Sequence, residues 1–364
     1  MKELILVTNC TSLDTGVHPE VANWANIYEL IGNNVTVIDR CNWLQTPFRF
    51  KSIFPMPTDL NNFNKSYADI CLERAHALIA HSRAINKPIV ILYSGGIDST
   101  VVAISFIMAA NGDHSNIKIA LNVHSIRENP NFYYNHIRGN FELLPSESIL
   151  NTITSDCILV GGEGNDQLFG TDIYKAFCGY DSISALHQDY NEANIVPFFI
   201  STGMTEKASR VWFSLMDEQI RATNLCEIKT IKEFFWWYNF CYKWQNVYLR
   251  IPARATTSSV MTPEFLNQYY FQFFMTDDFQ RWSMLNSDKK IDQTWTSYKK
   301  AAKEFILSYT NDEEYFMYKT KVPSLVNLFR GKLAPEGFDS NYNIIYNLNP
   351  EDYYVADNHF QAFK

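Results

Sequence analysis

The feature that most constrains the fold is an uninterrupted apolar run that ends in a pair of glycines. Residues 89–93 are all apolar or aromatic, and the residues that follow, 94–100, read SGGIDST. Such a run is typical of a strand buried on both faces of a parallel sheet. The apolar positions of residues 101–109 then predict a helix. The sequence therefore predicts a buried strand, a glycine-rich turn and a helix in immediate succession.

Two more β-like runs, at residues 117–124 and 157–160, each follow a helical segment. A further helix is predicted at residues 66–84, before the first buried strand. Strands that alternate with helices predict an α/β fold with a doubly wound parallel sheet. From Gly170 to Tyr318 the chain is rich in aromatic residues and mostly helical in pattern, which we interpret as a helical layer packed on that sheet.

Three regions are predicted along the chain. Residues 1–65 form a small α/β appendage, with strands at residues 3–8 and 34–39 on either side of a helix. Residues 66–330 form the main α/β domain. Residues 331–364, which hold two prolines and many polar residues, form an irregular tail.

The composition excludes several classes of protein. Hydrophobic residues make up 46% of the 364 residues and charged residues 19%, as in ordinary globular proteins. The net charge of -8 argues against a nucleic-acid partner, because phosphate binding needs an excess of lysine and arginine. The most apolar stretch, residues 234–248, is interrupted by polar residues before it reaches the ~20 apolar residues of a membrane span. The first residues also lack the apolar stretch of a secretory signal, so we expect a cytoplasmic protein with no membrane partner.

The seven cysteines are scattered along the chain and include no Cys-x-x-Cys pair. That spacing argues against most zinc and dithiol sites. We therefore expect reduced cysteines and an intracellular location. The seven are Cys10, Cys41, Cys71, Cys157, Cys178, Cys226 and Cys241.

The turn after the first buried strand has the properties of a phosphate site. A helix N-terminus presents unpaired amides and a positive dipole, and glycine lets the backbone approach phosphate oxygens closely. A carboxylate beside phosphates would repel them, so Asp98 predicts a bridging magnesium ion. The turn has neither the Gly-Lys-Ser/Thr ending of Walker A nor the Gly-x-Gly-x-x-Gly pattern of dinucleotide folds. The residues predicted to bind the nucleotide here are Ser94, Gly95, Gly96, Asp98, Ser99 and Thr100.

A second motif follows the third predicted strand, where residues 159–170 read LVGGEGNDQLFG. The carboxyl ends of strands in a doubly wound sheet meet at one crevice, so Glu163 and Asp166 are expected near Asp98. We predict Asp166 as the second magnesium ligand and Glu163 as the group that assists an incoming amine. In the alternative interpretation, residues 161–164 form a turn and the two carboxylates merely cap the next helix.

Together these motifs resemble two sequences of one superfamily. The first resembles the pyrophosphate-binding loop of the N-type ATP pyrophosphatases, and the second resembles the Gly-Glu-Gly-x-Asp-Glu motif of asparagine synthetases and β-lactam synthetases. Members of that superfamily resemble one another in splitting ATP between its α and β phosphates and attaching AMP to a substrate oxygen. The resemblance implies a PP-loop (adenine nucleotide α-hydrolase-like) fold for residues 66–330, with ATP and Mg2+ as cofactors.

A third segment, residues 318–324, reads YKTKVPS and is similar to the basic segment that carries the family's essential lysine. The resemblance places Lys321 at that lysine's position, with Lys319 beside it, as catalytic cations that neutralise the charge developed when pyrophosphate leaves. Alone, two lysines after an acidic stretch are most often a solvated surface.

The resemblance also implies an adenine site and an acceptor site. The adenine-binding residues that it implies are Leu121, Asn122, Val123, Gly161 and Gly162. Arg250 and Arg254 are candidate ligands for a substrate carboxylate. Gln167 stands where asparagine synthetases usually carry a glutamate, which leaves the identity of the amino-acid acceptor open.

Asparagine synthetases that use glutamine carry a large glutaminase domain whose cysteine follows the initiator methionine. Here that position is Lys2 and fewer than ninety residues precede the loop, so we expect no glutaminase domain. We expect an AMP-forming amide ligase that adenylates a small-molecule carboxylate and takes nitrogen from ammonia, an amine or a separate amidotransferase chain. Two alternatives stay open: a PP-loop enzyme that adenylates a nucleic-acid base or base precursor, and a non-catalytic nucleotide-binding regulator.

Overall fold

The chain folds into two units, each assembled from stretches that are distant in sequence. A computed structural model describes residues 2–8, 10–32, 38–146, 153–170, 173–179, 183–254, 261–320, 336–356 and 358–364. The unit that we call the sheet unit comprises Leu60–Asn165 and Arg254–Leu333. The unit that we call the terminal unit comprises Met1–Asp59, Asp166–Ala253 and Ala334–Lys364. The three regions predicted from the sequence have other boundaries, and whether they fold as domains stays a prediction.

The strands of the described residues form two sheets. They are β1 (Leu4–Val7), β2 (Ile89–Leu92), β3 (Ile117–Leu121), β4 (Glu142–Pro145), β5 (Ile158–Gly161), β6 (Tyr270–Gln272), β7 (Gly337–Asp339) and β8 (Ile344–Ile345). In the sheet unit, five strands pair in the order β4-β3-β2-β5-β6, and every pair is parallel. The prediction of an α/β protein with a parallel sheet is therefore confirmed, whereas the finer PP-loop fold stays a prediction.

The strongest strand signals in the sequence belong to the buried centre of this sheet. The predicted run at residues 89–93 is β2, the central strand, and the run at residues 157–160 is β5. The run at residues 117–124 ends early as β3, because Asn122 caps a helix that begins at Val123. Strands β4 and β6 were not predicted. Both are edge strands of at most four residues, too short to show a pattern of their own.

The described residues also form α-helices. In chain order they are α1 (Pro19–Gly32), α2 (Tyr67–Ile85), α3 (Ile97–Ala110), α4 (Val123–Glu128), α5 (Pro130–Phe132), α6 (Asn165–Phe169), α7 (Ile173–Cys178), α8 (Glu192–Ser201), α9 (Glu206–Thr223), α10 (Ile231–Tyr242), α11 (Trp244–Arg254), α12 (Pro263–Tyr269), α13 (Asp277–Leu285), α14 (Lys300–Thr310) and α15 (Glu313–Tyr318). Helix α2 matches the prediction for residues 66–84: Ser66 and Asp69 form a capping box at its start, and Asn86 ends it in the left-handed conformation. No helix among the described residues is long and apolar enough to cross a membrane.

Both ends of the chain contribute to the terminal unit. Strand β1 pairs antiparallel with β7, and β7 pairs with β8. The tail that the sequence predicts as irregular therefore supplies two strands, because β1 needs a partner that no local pattern reveals. The second predicted strand of the appendage falls mostly on residues 33–37, outside the described residues. The aromatic helix α10 is buried along its whole length, except for the half-buried Glu233, as its composition suggests.

Candidate nucleotide-binding site

The SGGIDST loop lies at the carboxyl end of the central strand of the parallel sheet. The register pairs Leu92 of β2 with Ala120 of β3, and Ile91 of β2 with Val160 of β5. The three strands therefore end at the same edge, where open parallel sheets bind their ligands. That edge carries the loop itself, the predicted adenine residue Leu121 at the end of β3, and Gly161 at the end of β5.

Hydrogen bonds inside the loop hold its turn closed. The backbone amide of Ser94 donates to the Ser99 hydroxyl oxygen at 3.1 Å, and that hydroxyl donates to the Gly96 carbonyl at 3.2 Å. The two serine hydroxyl oxygens lie 3.1 Å apart. Gly96 is the N-cap of α3 and offers no side chain, so no side-chain hydrogen bond caps this helix. The amides of its first turn are thus not satisfied by a cap, the condition under which helix N-termini bind anions.

Two glycines allow close packing around the loop: Gly95 lies against α4, and Gly162 lies against the first turn of α3. Gly95 has a φ of +81°, and a Cβ there would lie 2.3 Å from the Ser125 carbonyl oxygen of α4. A Cβ on Gly162 would lie 3.3 Å from the Ser99 amide nitrogen in the first turn of α3. Position 95 therefore depends on glycine for protein packing as well as for any approach of a ligand. A Cβ at Gly162 would require its neighbour to shift by only a few tenths of an ångström.

The Asp98 carboxylate forms a largely buried ion pair that the sequence did not predict. Lys299 Nζ lies 2.6 Å from each of its oxygens, and Asn165 Nδ2 donates to Oδ1 at 2.7 Å. Tyr67 in turn donates its hydroxyl to Asn165 Oδ1 at 2.9 Å. Burial raises the pKa of Tyr67 well above its usual value, so the phenol stays protonated as a donor. The Lys299 side chain is 2% exposed and that of Asp98 25%.

This ion pair bears directly on the predicted magnesium site. A carboxylate offers about four lone-pair positions, and the contacts with Lys299 and Asn165 occupy three of them. The Lys299 ammonium therefore already supplies positive charge at the carboxylate where the sequence predicts a magnesium ion. The other predicted ligand, Asp166, is the first residue of the second stretch of the terminal unit, and its backbone carbonyl accepts a hydrogen bond from Asn239 Nδ2 at 3.0 Å. Ligation by Asp98 and Asp166 stays a prediction from the sequence.

The basic segment that precedes residue 321 is tied to the helix that contacts the loop. Lys319 Nζ forms an ion pair with the Glu128 carboxylate and donates to the Glu128 carbonyl at 3.3 Å. The Cβ of Glu128 is also 2.8 Å from the position a Cβ would take on Gly95. Lys319 is therefore not on a solvated surface: its side chain is 14% exposed. Lys321, the predicted essential lysine, lies outside the described residues.

Within the part of the chain that the structure describes, three hydroxyl groups next to the loop are buried without a well-formed hydrogen bond: those of Tyr93, Thr100 and Tyr315. Burial raises the pKa of both tyrosines, and the nearby Thr100 hydroxyl partly offsets the rise. All three groups are thus neutral donors at physiological pH. An unsatisfied buried hydroxyl is costly, so we expect water or a ligand oxygen to satisfy them.

The contacts of the remaining predicted residues say less about their roles. Glu163 donates its backbone amide to Gln272 Oε1 at 3.0 Å. Asn122 uses its side chain to cap α4, and Val123 is largely exposed. Gln167 is the residue that replaces the glutamate of the family motif. It is buried in the terminal unit, where its Nε2 donates to Asn239 Oδ1 at 3.3 Å, so its partner is a neutral amide. Asn239 in turn donates to the Asp166 carbonyl. Arg250 belongs to α11, and the Arg254 side chain lies outside the described residues.

Sequence reasoning missed Lys299, Asn165 and Tyr67, because nothing local marks a lysine 201 residues from its carboxylate partner as part of the site. No protein-family model, no curated protein and no solved structure matches this chain. The likeness to asparagine synthetases therefore depends on the three short motifs alone.

Proposed function

We propose that the chain binds ATP at the SGGIDST loop and uses it as an AMP-forming amide ligase of the asparagine synthetase type. The observation that carries the proposal is the uncapped first turn of α3, at the carboxyl end of the central parallel strand, with the buried Lys299 and the partly buried Lys319 close by. That combination suits a pyrophosphate group. It does not by itself identify the acceptor.

The reaction that we propose has two steps. An oxygen of the substrate carboxylate attacks the α-phosphorus of ATP, so the bond to the β-phosphate oxygen breaks and pyrophosphate leaves. The nitrogen of ammonia or an amine then attacks the acyl carbon, loses a proton and displaces AMP to leave an amide. The first-turn amides of α3 hold the phosphates, and the predicted catalytic cations Lys319 and Lys321 stabilise the charge of the departing pyrophosphate. Glu163 is the group proposed to accept the amine proton.

Formation of AMP and pyrophosphate in the presence of ammonia tests the proposal, with amino acids and dicarboxylic acids screened one by one. We expect release that depends on one carboxylate. Release triggered only by a nucleic acid or a purine analogue would instead favour base modification, and ATP binding without any release would favour a regulator.

The variant Lys321→Ala should lower turnover by roughly 10²- to 10³-fold while ATP binding persists. Lys300→Ala is the matched control, because Lys300 pairs with Asp292 on an exposed face and should keep full activity. Unchanged product formation by the Lys321 variant contradicts the proposed role of that lysine.

A further inference from the structure

Two cysteines that are 200 residues apart in sequence meet inside the terminal unit. The Sγ atoms of Cys41 and Cys241 lie 3.7 Å apart. Backbone hydrogen bonds hold the two segments together: Ile38 donates to the Tyr242 carbonyl at 3.0 Å, and Arg40 donates to the Cys241 carbonyl at 3.4 Å. The juxtaposition is therefore built into the fold of this unit. The spacing of the cysteines along the chain gave no sign of it.

A buried carboxylate completes the cluster. Asp39 Oδ1 lies 3.3 Å from Cys241 Sγ, and one ligand atom from each of Asp39, Cys41 and Cys241 lies within 4.8 Å of the others. Asp39 and Cys241 are buried, whereas Cys41 is partly exposed and offers a path to solvent. Thiolate and carboxylate are both zinc ligands.

Two of the three distances between the ligand atoms match those of a tetrahedral zinc ion, and the third is at most 4.8 Å. With bonds of about 2.3 Å to sulfur and about 2.0 Å to oxygen, a tetrahedron has a sulfur–sulfur edge of about 3.8 Å and a sulfur–oxygen edge of about 3.5 Å. The corresponding distances here are 3.7 Å and 3.3 Å. We propose that Cys41, Cys241 and Asp39 bind a zinc ion in the terminal unit, with water as the fourth ligand.

Surrounding groups hold the ligands in place, as in other metal sites. Asp39 Oδ2 accepts hydrogen bonds from the amides of Trp43 at 3.0 Å and Leu44 at 2.6 Å. Gln219 Nε2 donates to Asp39 Oδ1 at 2.8 Å and to Cys241 Sγ at 3.4 Å. Trp237 Nε1 fixes that amide by donating to Gln219 Oε1 at 2.9 Å.

Binding has a simple balance of charge and protons. Zinc displaces the two thiol protons to solvent, and two thiolates with one carboxylate leave a net charge of -1 on the site. The Gln219 amide donates toward that charge. Because the ion bonds a segment near residue 40 to helix α10, zinc should stabilise the folded terminal unit by mass action. This site uses none of the residues of the proposed nucleotide site, so the two proposals can fail separately.

Cobalt titration of the tag-free, reduced full-length chain tests the site directly. We expect thiolate-to-cobalt charge-transfer absorption and the intense visible bands of tetrahedral cobalt, saturating at one ion per chain and displaced by zinc. Cys41→Ser and Cys241→Ser should each weaken binding at least 10-fold. Cys157→Ser is the matched control, because Cys157 is partly buried in the sheet unit and should leave binding unchanged.

A measurement on the unmodified chain covers the case in which the serine variants do not fold. Zinc should slow alkylation of Cys41 without slowing that of Cys178, which is also partly exposed. Absence of the cobalt bands overturns the proposal, as does equal binding by folded serine variants. The proposal is also overturned if oxidised glutathione joins Cys41 and Cys241 in a disulfide, releasing two molecules of reduced glutathione, and zinc does not prevent this reaction.

Discussion

The Lys299 ammonium is almost completely buried, so its charge depends on the Asp98 carboxylate beside it. Removing one member of a buried ion pair leaves an uncompensated charge and costs about 3–5 kcal/mol, whereas replacing both members is often nearly neutral. Asp98 is one quarter exposed, so solvent moderates the cost here. We therefore expect the pair to add little net stability.

A double-mutant cycle at this pair separates the two contributions. We expect Asp98→Asn alone to lower the free energy of unfolding by about 2 kcal/mol or more, because Lys299 loses its partner. Adding Lys299→Met should restore much of that loss by removing the stranded charge. Urea denaturation of the four proteins provides the measurement. Additive losses in the double variant would show that the two side chains are not coupled.

The lowered pKa of Lys303 predicts that the free energy of unfolding depends on the protonation of this side chain. Its Nζ donates to the Thr296 carbonyl at 2.6 Å and to the Lys319 carbonyl at 3.1 Å, and burial lowers its pKa from 10.5 to about 8. Between those values the unfolded chain binds a proton that the folded chain does not. The contribution of Lys303 to the free energy of unfolding therefore rises as pH increases from about 8 to 10.5, by an amount of the order of 3 kcal/mol.

The variant Lys303→Met should remove that rise, because no lysine at this position remains to titrate. Lys300→Met is the control, since Lys300 lies on the same helix, is more exposed and should keep the slope. Chemical denaturation at intervals from pH 7 to pH 10 distinguishes the two. An equal slope in the Lys303 variant and the unmodified chain would assign the effect to another group.

Among the elements, the start of α3 depends closely on a single residue, Gly95. Gly95 has a φ of +81°, and a Cβ would meet the Ser125 carbonyl at 2.3 Å. Gly112, just after α3, has a similar φ of +89° but nothing within 4 Å of a Cβ. The two glycines thus share the left-handed backbone conformation and differ in packing.

Alanine at each position measures the packing contribution. The left-handed conformation costs a residue with a Cβ roughly 1–2 kcal/mol, and this applies to both variants. Gly95→Ala should cost at least about 1 kcal/mol more, because α4 must also move away from the loop. Thermal or urea unfolding measures the difference. Equal losses of unfolding free energy in the two variants would mean that α4 moves away from the added Cβ at no cost.

Local signals account for the elements that sequence analysis predicted. The apolar run of β2 and the caps of α2 lie within a few residues of the structures that they specify. Strand β7 and the pairs Asp98–Lys299 and Cys41–Cys241 depend on partners hundreds of residues away. Such pairings follow from the packing of whole elements, which a single sequence does not display. The glycine loop could be predicted because the residues that define it are adjacent in sequence. Its buried lysine, Lys299, could not, because its partner Asp98 is 201 residues away.

At the scale of the whole molecule, the two ends of the chain stabilise the same unit. The last residues pack on helices from earlier in the chain: Phe360 stacks against Phe363 and contacts Trp24 of α1 and Trp212 of α9. Phe360, Trp24 and Trp212 are each fully buried. We therefore expect a substitution near the C-terminus to destabilise the structure around residue 20 as much as the structure at its own position.

Phe360→Ala tests this dependence, because it opens a cavity between α1 and α9. Truncation of a buried phenylalanine costs about 3–5 kcal/mol, and we expect hydrogen exchange to accelerate in α1, in α9 and in strand β1. Tyr346→Ala is the matched control, since that aromatic side chain also belongs to the tail but is 54% exposed; its cost should stay within about 0.5 kcal/mol. If exchange rises only in the last residues of the Phe360 variant, the tail is an appendage of the terminal unit and not part of its core.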